Sequence, residues 1–256
     1  MIVQFLGAHN LESRSTGFTC VLVDDILAID AGALTRSLTF SAQREIRALL
    51  LTHRHYDHIR DIPALAMNFY LSGRSISLYC TAETAGDLGA YLCDGRLYPD
   101  FRARPEEDPA LRIVTVEPYR TEQVAGYAVM AVPVKHSVPA AGFQVTSPQG
   151  ESLFYAGDTG PGLGECWQHV SPQLLAIEVT LPDEQEDSAR LAGHMTPSLL
   201  HQEMLGFFKV KSYLPRIIAM HMNPEMEDDI RHQLQRVSEA LQCPIALAHE
   251  GMGVRL

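Results

Sequence analysis

At 256 residues, with 46% hydrophobic and 20% charged side chains, the chain can bury a sizeable core and lacks the composition of a disordered segment. A formal net charge of −11 opposes an extended nucleic-acid backbone as partner, while a small anion stays compatible because bound cations can dominate a local field. Five widely spaced cysteines with no CxxC pair argue against a disulfide framework or a zinc-thiolate site and fit the reduced cytoplasm; the opening MIVQFLGAHN does not read as a signal peptide, and no apolar run approaches the roughly 20 residues that span a membrane.

In chain order, Ile2–Leu6 reads as a strand, and Phe18–Val23 and Ile26–Asp30 read as two strands joined at Asp24-Asp25. Thr39–Arg44 is a short helix, and Ile46–Leu51 is a strand ending at a histidine cluster. Asp61–Leu71 has helical spacing, with Asp61 and Pro63 as start signals. Ser75–Cys80 is a strand and Thr81–Cys93 a helix capped by Thr81, followed by a loop over Asp94–Pro109. Strands are predicted at Arg112–Glu117, Val124–Val134, Gly142–Thr146, Leu153–Ala156 and Leu174–Val179, with a helix at Leu163–His169 before the last of them. Leu181–Gly193 reads as an acidic loop and Pro197–Phe207 as a helix capped by Thr196. Ile217–His221, Pro224–Leu241, Ile245–His249 and Gly253–Leu256 read as strand, helix, strand, strand. Two sheets packed face to face with helices outside suit this order, and no linker splits residues 1–256 into more than one domain.

The segment Thr52–His58 (THRHYDH) places His53, His55, Asp57 and His58 directly after an apolar strand. Imidazole and carboxylate suit zinc, manganese or iron. Four such groups in six positions crowd a single tetrahedral ion and are better shared between two. A solvated polar turn is the bland alternative, and it explains one histidine better than three. His136, Asp158 and His221 each follow a later apolar strand in the same way.

The order HxHxDH, His, GDT, His resembles the metallo-β-lactamase superfamily over essentially the whole chain, from Leu6-Gly7 and Ile29-Asp30-Ala31-Gly32 to His221. The resemblance implies an α+β fold, a four-layer αββα sandwich with a pair of divalent cations at the sheet edges: Zn2+ first, with Mn2+ or Fe compatible. It implies that His53, His55 and His136 hold one ion, that Asp57, His58 and His221 hold the other, and that Asp158 bridges them. Asp30 matches a buried aspartate behind the metal loop.

Ile177-Glu178-Val179-Thr180 and Gly193-His194-Met195-Thr196-Pro197 resemble the phosphodiesterase branch, which includes tRNase Z and class II cyclic-nucleotide phosphodiesterases. An alkoxide leaves poorly, so a histidine that donates a proton helps, and a neighbouring carboxylate raises its pKa and orients it. Asp57, Glu178 and His194 are the candidate catalytic residues. The expected activity is hydrolysis of a small phosphodiester, such as a 3',5'-cyclic nucleotide, by a hydroxide bridging the metals. The alternatives are a tRNase Z-like RNA 3' processing nuclease without the arm, or a lactonase or thioesterase on the same fold. Only 21 residues separate His136 from Asp158, too few for the substrate arm of tRNase Z, and Tyr56 stands where the cyclic-nucleotide enzymes usually have leucine. A redox di-iron protein and a degenerate scaffold are rivals from other classes. A homodimer is compatible with the sequence.

Around this core, Arg96, Arg102 and Arg104 with Tyr98 and Phe101 in the 94–109 loop could grip phosphate and stack a base, or form a solvated or dimer-contacting loop. His9 and His249 read as surface or pocket-edge groups, His169, His201 and His232 as surface residues, and Trp167 as core.

Overall fold

A computed structural model describes residues 1–256. One seven-stranded sheet comprises β1 (Ile2–Gly7), β2 (Cys20–Val23), β3 (Leu27–Ile29), β4 (Ala48–Leu50), β5 (Ile76–Cys80), β6 (Leu111–Thr115) and the last strand, β14 (Met252–Arg255), in the order β14-β1-β2-β3-β4-β5-β6. The second sheet comprises β7 (Thr121–Val124), β8 (Tyr127–Pro133), β9 (Ala141–Thr146), β10 (Ser152–Tyr155), β11 (Leu174–Glu178), β12 (Arg216–Met220) and β13 (Ile245–Leu247), in the reverse order β13 to β7. Runs β3 to β6 and β10 to β13 are parallel and the remaining pairs antiparallel.

The parallel strands explain the unbroken apolar runs in the sequence, because both of their faces are covered. In β4, Ala48 and Leu50 enter the core between the sheets while Leu49 faces the helices; in β11, Leu174 and Ala176 point inward and Leu175 and Ile177 outward. Outside the first sheet lie α1 (Leu34–Ser37), α2 (Phe40–Gln43), α3 (Tyr56–Ile59), α4 (Ile62–Leu71) and α5 (Ala82–Asp87), the last continued by one π-helical turn, Leu88–Leu92. Outside the second lie α6 (Cys166–His169), α7 (Glu186–Ala192), α8 (Pro197–Lys211) and α9 (Glu227–Leu241). In α9 the buried side chains Ile230, Gln233, Leu234 and Val237 recur at helical spacing. The result is the four-layer αββα sandwich expected from the sequence.

Four local expectations change. Val124–Val134 is not one strand: β7 ends at Val124, and Ala125-Gly126, at φ 51° and 93°, turn the chain into β8. The glycine accepts the left-handed angle and sets the hairpin. The acidic stretch 181–193 is not a loop throughout, since Asp183–Gln185 forms a 3-10 turn leading into α7; acids in a first helical turn complement its dipole. The motif itself forms α3, too short to show a period. Asp61 does not cap its own helix; its Oδ2 accepts from the Thr35 backbone N–H at 2.7 Å, tying α4 to α1. Thr81 and Thr196 do cap, accepting from the N–H groups of Thr84 and Leu199. All five cysteines are free.

Candidate metal centre

Strand carboxyl ends build the site. His53 lies three residues beyond β4, His136 three beyond β8, Asp158 three beyond β10 and His221 one beyond β12, while Glu178 is the last residue of β11. Strand ends at the rim of an α/β sheet leave side chains free to converge in a crevice. His55 and Asp57 flank Tyr56 at the start of α3.

A third group, Glu178, His194 and His221, adjoins two overlapping ones that gather the candidate ligands, with the donor atoms within each no more than 4.8 Å apart: His53, His55, His136 and Asp158; and Asp57, His58, Asp158 and His221. All seven sequence-predicted candidate ligands therefore meet, and Asp158 belongs to both groups. Its Oδ2 lies 3.8 Å from His53 Nε2, 3.9 Å from His136 Nε2 and 3.3 Å from His221 Nε2. Its Oδ1 lies 3.2 Å from His58 Nε2, yet without hydrogen-bond geometry, and both atoms stay unpartnered. His53 Nε2 is the third buried polar atom here with no partner. Orphaned buried donors and acceptors are costly, so three converging ones fit a pair of cations.

The outer nitrogen of four imidazoles is engaged, which turns the other inward. His58 Nδ1–H donates to Asp30 Oδ2 at 2.7 Å, and His136 Nδ1–H to the Gly193 carbonyl at 2.8 Å. His53 Nδ1 meets the Thr52 hydroxyl at 3.0 Å, and His221 Nδ1 the Thr180 hydroxyl at 2.8 Å. His55 is the exception, its Nδ1 lying 3.0 Å from His136 Nε2. Asp30 is fully buried and also accepts from the Thr52 N–H and hydroxyl and from the Tyr155 hydroxyl, so one carboxylate organises the strand end, the motif and the second sheet.

Electrostatics prepare the donors. Burial, then the neighbouring imidazoles, drive the pKa of His53 well down; burial and His136 lower that of His55. Burial lowers that of His136 too. The lowered values favour the neutral, lone-pair-bearing form of these three rings. Burial would raise Asp57 and Asp158, but the adjoining His58 and His221 rings outweigh it and hold both carboxyls well below their usual range. Burial would lower His58, and Asp158, Asp30 and Asp57 overcome it and raise its pKa.

Beside these groups, His194 Nδ1–H donates to Glu178 Oε1 at 2.6 Å. Burial would lower the His194 pKa, but the Glu178 charge and hydrogen bond bring it up to about 9. Glu178 also accepts from the N–H groups of Thr159 and Met195 and from the Thr180 hydroxyl, whose oxygen faces His221. With its oxygens already occupied, Glu178 is better suited to orient His194 than to bind an ion. His194 lines a pocket of about 330 Å³ with His55, Asp57, Asp158 and His221.

Sequence reasoning missed Thr52, Tyr155, Thr180 and Gly193 as organisers of the site. Thr52 and Thr180 carry a weak signal, a hydroxyl one or two positions from a candidate site residue. Tyr155 carries none, because its contact with Asp30 crosses between sheets. His9 is not a pocket group: its ring lies between Glu250 Oε1 at 2.8 Å and Glu227 Oε2 at 3.2 Å. His249 is exposed and bonds the adjacent carbonyl of Glu250. Trp167 is core, as expected, with its indole N–H on Glu203. In the 94–109 loop, Phe101 is buried in the core rather than free to stack, and Arg102 is paired with Asp100. That loop lines a separate cavity sharing no residue with the pocket above.

Comparison with known proteins agrees with this architecture. The ribonuclease Z of Methanococcus maripaludis is 29% identical over 170 residues, covering 62% of this chain and 54% of the relative. That of Kineococcus radiotolerans is 28% identical over 129 residues, covering 47% and 38%. The chain spans about half the length of the curated relatives it matches. Unliganded yeast PDE1 superposes with a TM-score of 0.84 at 15% identity over 100% of this chain and 99% of that one. The short form of human tRNase Z gives 0.70 at 21% over 100% and 99%. Residues 19–222 match the family described as the beta-lactamase superfamily domain, and with the αββα sandwich and its His/Asp cluster this chain belongs to the metallo-β-lactamase superfamily.

Proposed function

We propose that residues 1–256 act as one binuclear metal-dependent phosphodiesterase domain on a small phosphodiester, of which a 3',5'-cyclic nucleotide is the leading example. His53, His55 and His136 would hold one divalent cation, Asp57, His58 and His221 the other, with Asp158 shared; the donor chemistry suits Zn2+ and also Mn2+ or Fe. Such a pair supplies Lewis-acid polarisation of the phosphoryl group and activation of water near neutral pH.

The observation that supports phosphoryl transfer most directly is the Glu178–His194 pair at 2.6 Å on the pocket wall. Glu178 occupies His194 Nδ1 and keeps the ring protonated, so Nε2–H is the proton available to the leaving oxygen. Thr180 bonds Glu178 and meets both His194 and His221, so the proton donor and the metal loop share one hydrogen-bonded frame. Asp57 contributes a carboxylate held ionised at the pocket floor.

The ribonuclease Z relatives favour a second reading, RNA 3' processing without an arm. Against it, the interval from His136 to Asp158 is taken up by the antiparallel pair β9–β10, and the chain carries a net charge of −11. Metal analysis followed by assay on bis-p-nitrophenyl phosphate, cyclic nucleotides and precursor tRNA separates the readings. Turnover of the small diesters is expected, with His194→Ala keeping its metal and losing about 10²–10⁴-fold in rate. Full metal loading without phosphodiester turnover would transfer the proposal to lactone or thioester hydrolysis.

A further inference from the structure

The pocket is not uniformly polar. One wall holds candidate ligands and His194; Leu11, Phe18, Tyr56 and Asn10 supply its remaining lining. Tyr56 is 63% exposed and Leu11 44% exposed, while Phe18 is half-buried with the Arg60 guanidinium 5.2 Å from its ring centroid. Single exposed apolar residues need no explanation, but three gathered in one concave site mark a binding surface. Asn10 adds an independent sign: its Oδ1 is buried and without a hydrogen-bond partner. A ligand N–H or O–H that reaches this oxygen would satisfy it.

Tyr56 is also held ready. It lies between His55 and Asp57 at the first turn of α3, and its carbonyl accepts from the Arg60 N–H at 2.9 Å. Its backbone direction is therefore set by the same turn that aims the two candidate ligands. An aromatic side chain with two rotatable bonds on a backbone fixed in this way offers a flat apolar face at low entropic cost on binding. The chemistry recognised by such a wall is a flat ring with a polar N–H edge attached near a phosphoryl group.

Resting on the phosphodiesterase reading, we propose that Tyr56, supported by Phe18 and Leu11, is the specificity-determining residue that stacks the nucleobase of a nucleoside phosphodiester, with the Asn10 amide oxygen accepting a hydrogen bond from the base or sugar. Alkyl phosphodiesters fill the phosphoryl site and leave this wall bare.

The test compares two esters with the same leaving group, thymidine 5'-p-nitrophenyl phosphate and methyl p-nitrophenyl phosphate, on metal-assayed wild type, Tyr56→Leu and Tyr56→Phe. Stacking on one aromatic residue is worth enough to move the ratio of the two kcat/KM values about tenfold. Tyr56→Leu is expected to lower that ratio by about this factor, mainly through the KM of the thymidine ester, and Tyr56→Phe to restore it. An unchanged ratio in Tyr56→Leu overturns the proposal. Saturation-transfer NMR with thymidine 5'-monophosphate on the metal-loaded protein reads the wall without turnover. Saturation of the thymine ring protons in wild type, weakened in Tyr56→Leu and in Asn10→Ala, supports the stacking wall even if neither ester is hydrolysed, a result that would remove only the phosphodiesterase reading. Equal saturation in wild type and Tyr56→Leu, or none in wild type, overturns it.

Discussion

At the residue scale, Glu178 is a hub of the polar network beside the pocket. It accepts from His194, Thr180 and the N–H groups of Thr159 and Met195, and is almost fully buried. Its charge keeps the His194 pKa at about 9 against burial. Because the folded value lies above the ordinary 6.5, the ion pair stabilises the fold fully below 6.5, and that contribution disappears as pH rises through about 9. In the proposed mechanism the same proton sets an alkaline limb for turnover. Glu178→Gln removes the charge, so the limb of the kcat profile is expected to move to lower pH, measured on folded protein of verified metal content. A limb that stays in place would show that another group holds the proton. His221 and Asp30 carry a different signature, left-handed backbone angles of φ 59° and 58° at non-glycine residues. Such angles persist where neighbours over-determine them. Here the His221 N–H donates to the Ala8 carbonyl at 2.6 Å and the Asp30 N–H to the Leu50 carbonyl at 2.9 Å.

At the scale of elements, the end of α7 decides where His136 sits. Gly193 closes that helix at φ 76°, and its carbonyl accepts from His136 Nδ1. A Cβ at Gly193 would fall 2.8 Å from the Ser137 nitrogen and 2.9 Å from His136 Cα, both backbone atoms that cannot swing aside. Gly193→Ala is therefore expected to displace His136 and weaken metal affinity by about 10–100-fold, the usual cost of disturbing a ligand's outer partner. Gly126→Ala is the control: its φ of 93° is equally unfavourable to alanine, but nothing lies within 4 Å. It should cost about 1–2 kcal/mol of stability and leave metal affinity alone. Isothermal titration with Zn2+ and thermal melts of both variants separate the two effects. The α7 segment also shows a limit of pattern reading. Its acidic run 183–187 resembles a solvated loop, and only packing of Ala189 and the Gly193 stop make it a helix.

Across the whole molecule, the candidate site ties together strand ends from both sheets, so metal binding there would couple to folding. Side chains after β4, β8, β10 and β12 converge with unpartnered buried atoms, which destabilise the metal-free state. Metal present at about a hundredfold over its dissociation constant adds roughly 2.7 kcal/mol to the folded state, or about 5–10 °C of melting temperature for a chain of this size. Chelation followed by differential scanning calorimetry should show this drop, and restored Zn2+ should reverse it. A melting temperature indifferent to chelator would mean that the cluster holds no ion. No helix is long and apolar enough to cross a membrane.

The sequence alone determined the layer architecture and the positions of the candidate donors. Short apolar runs such as Ala48–Leu51 specify buried parallel strands, and four candidate donors confined to 53–58 cannot avoid sharing one turn. His136, Asp158 and His221 were legible as positions, each just past a strand, but their meeting is a property of sheet order, which brings β8, β10 and β12 into one sheet facing β4 in the other. Only the tertiary structure decided the hydrogen-bonding frame behind them. Tyr155 reaches Asp30 over a sequence separation of 125 residues, and Thr180 reaches His221 over 41. It also decided the fate of the uncommitted polar groups, since His9 is enclosed by Glu227 and Glu250 while Asn10, next in the chain, lines the pocket and has a buried Oδ1 with no partner. Local pattern specifies which groups a strand end presents; which partners satisfy them depends on contacts between residues distant in the chain, and no local periodicity encodes those.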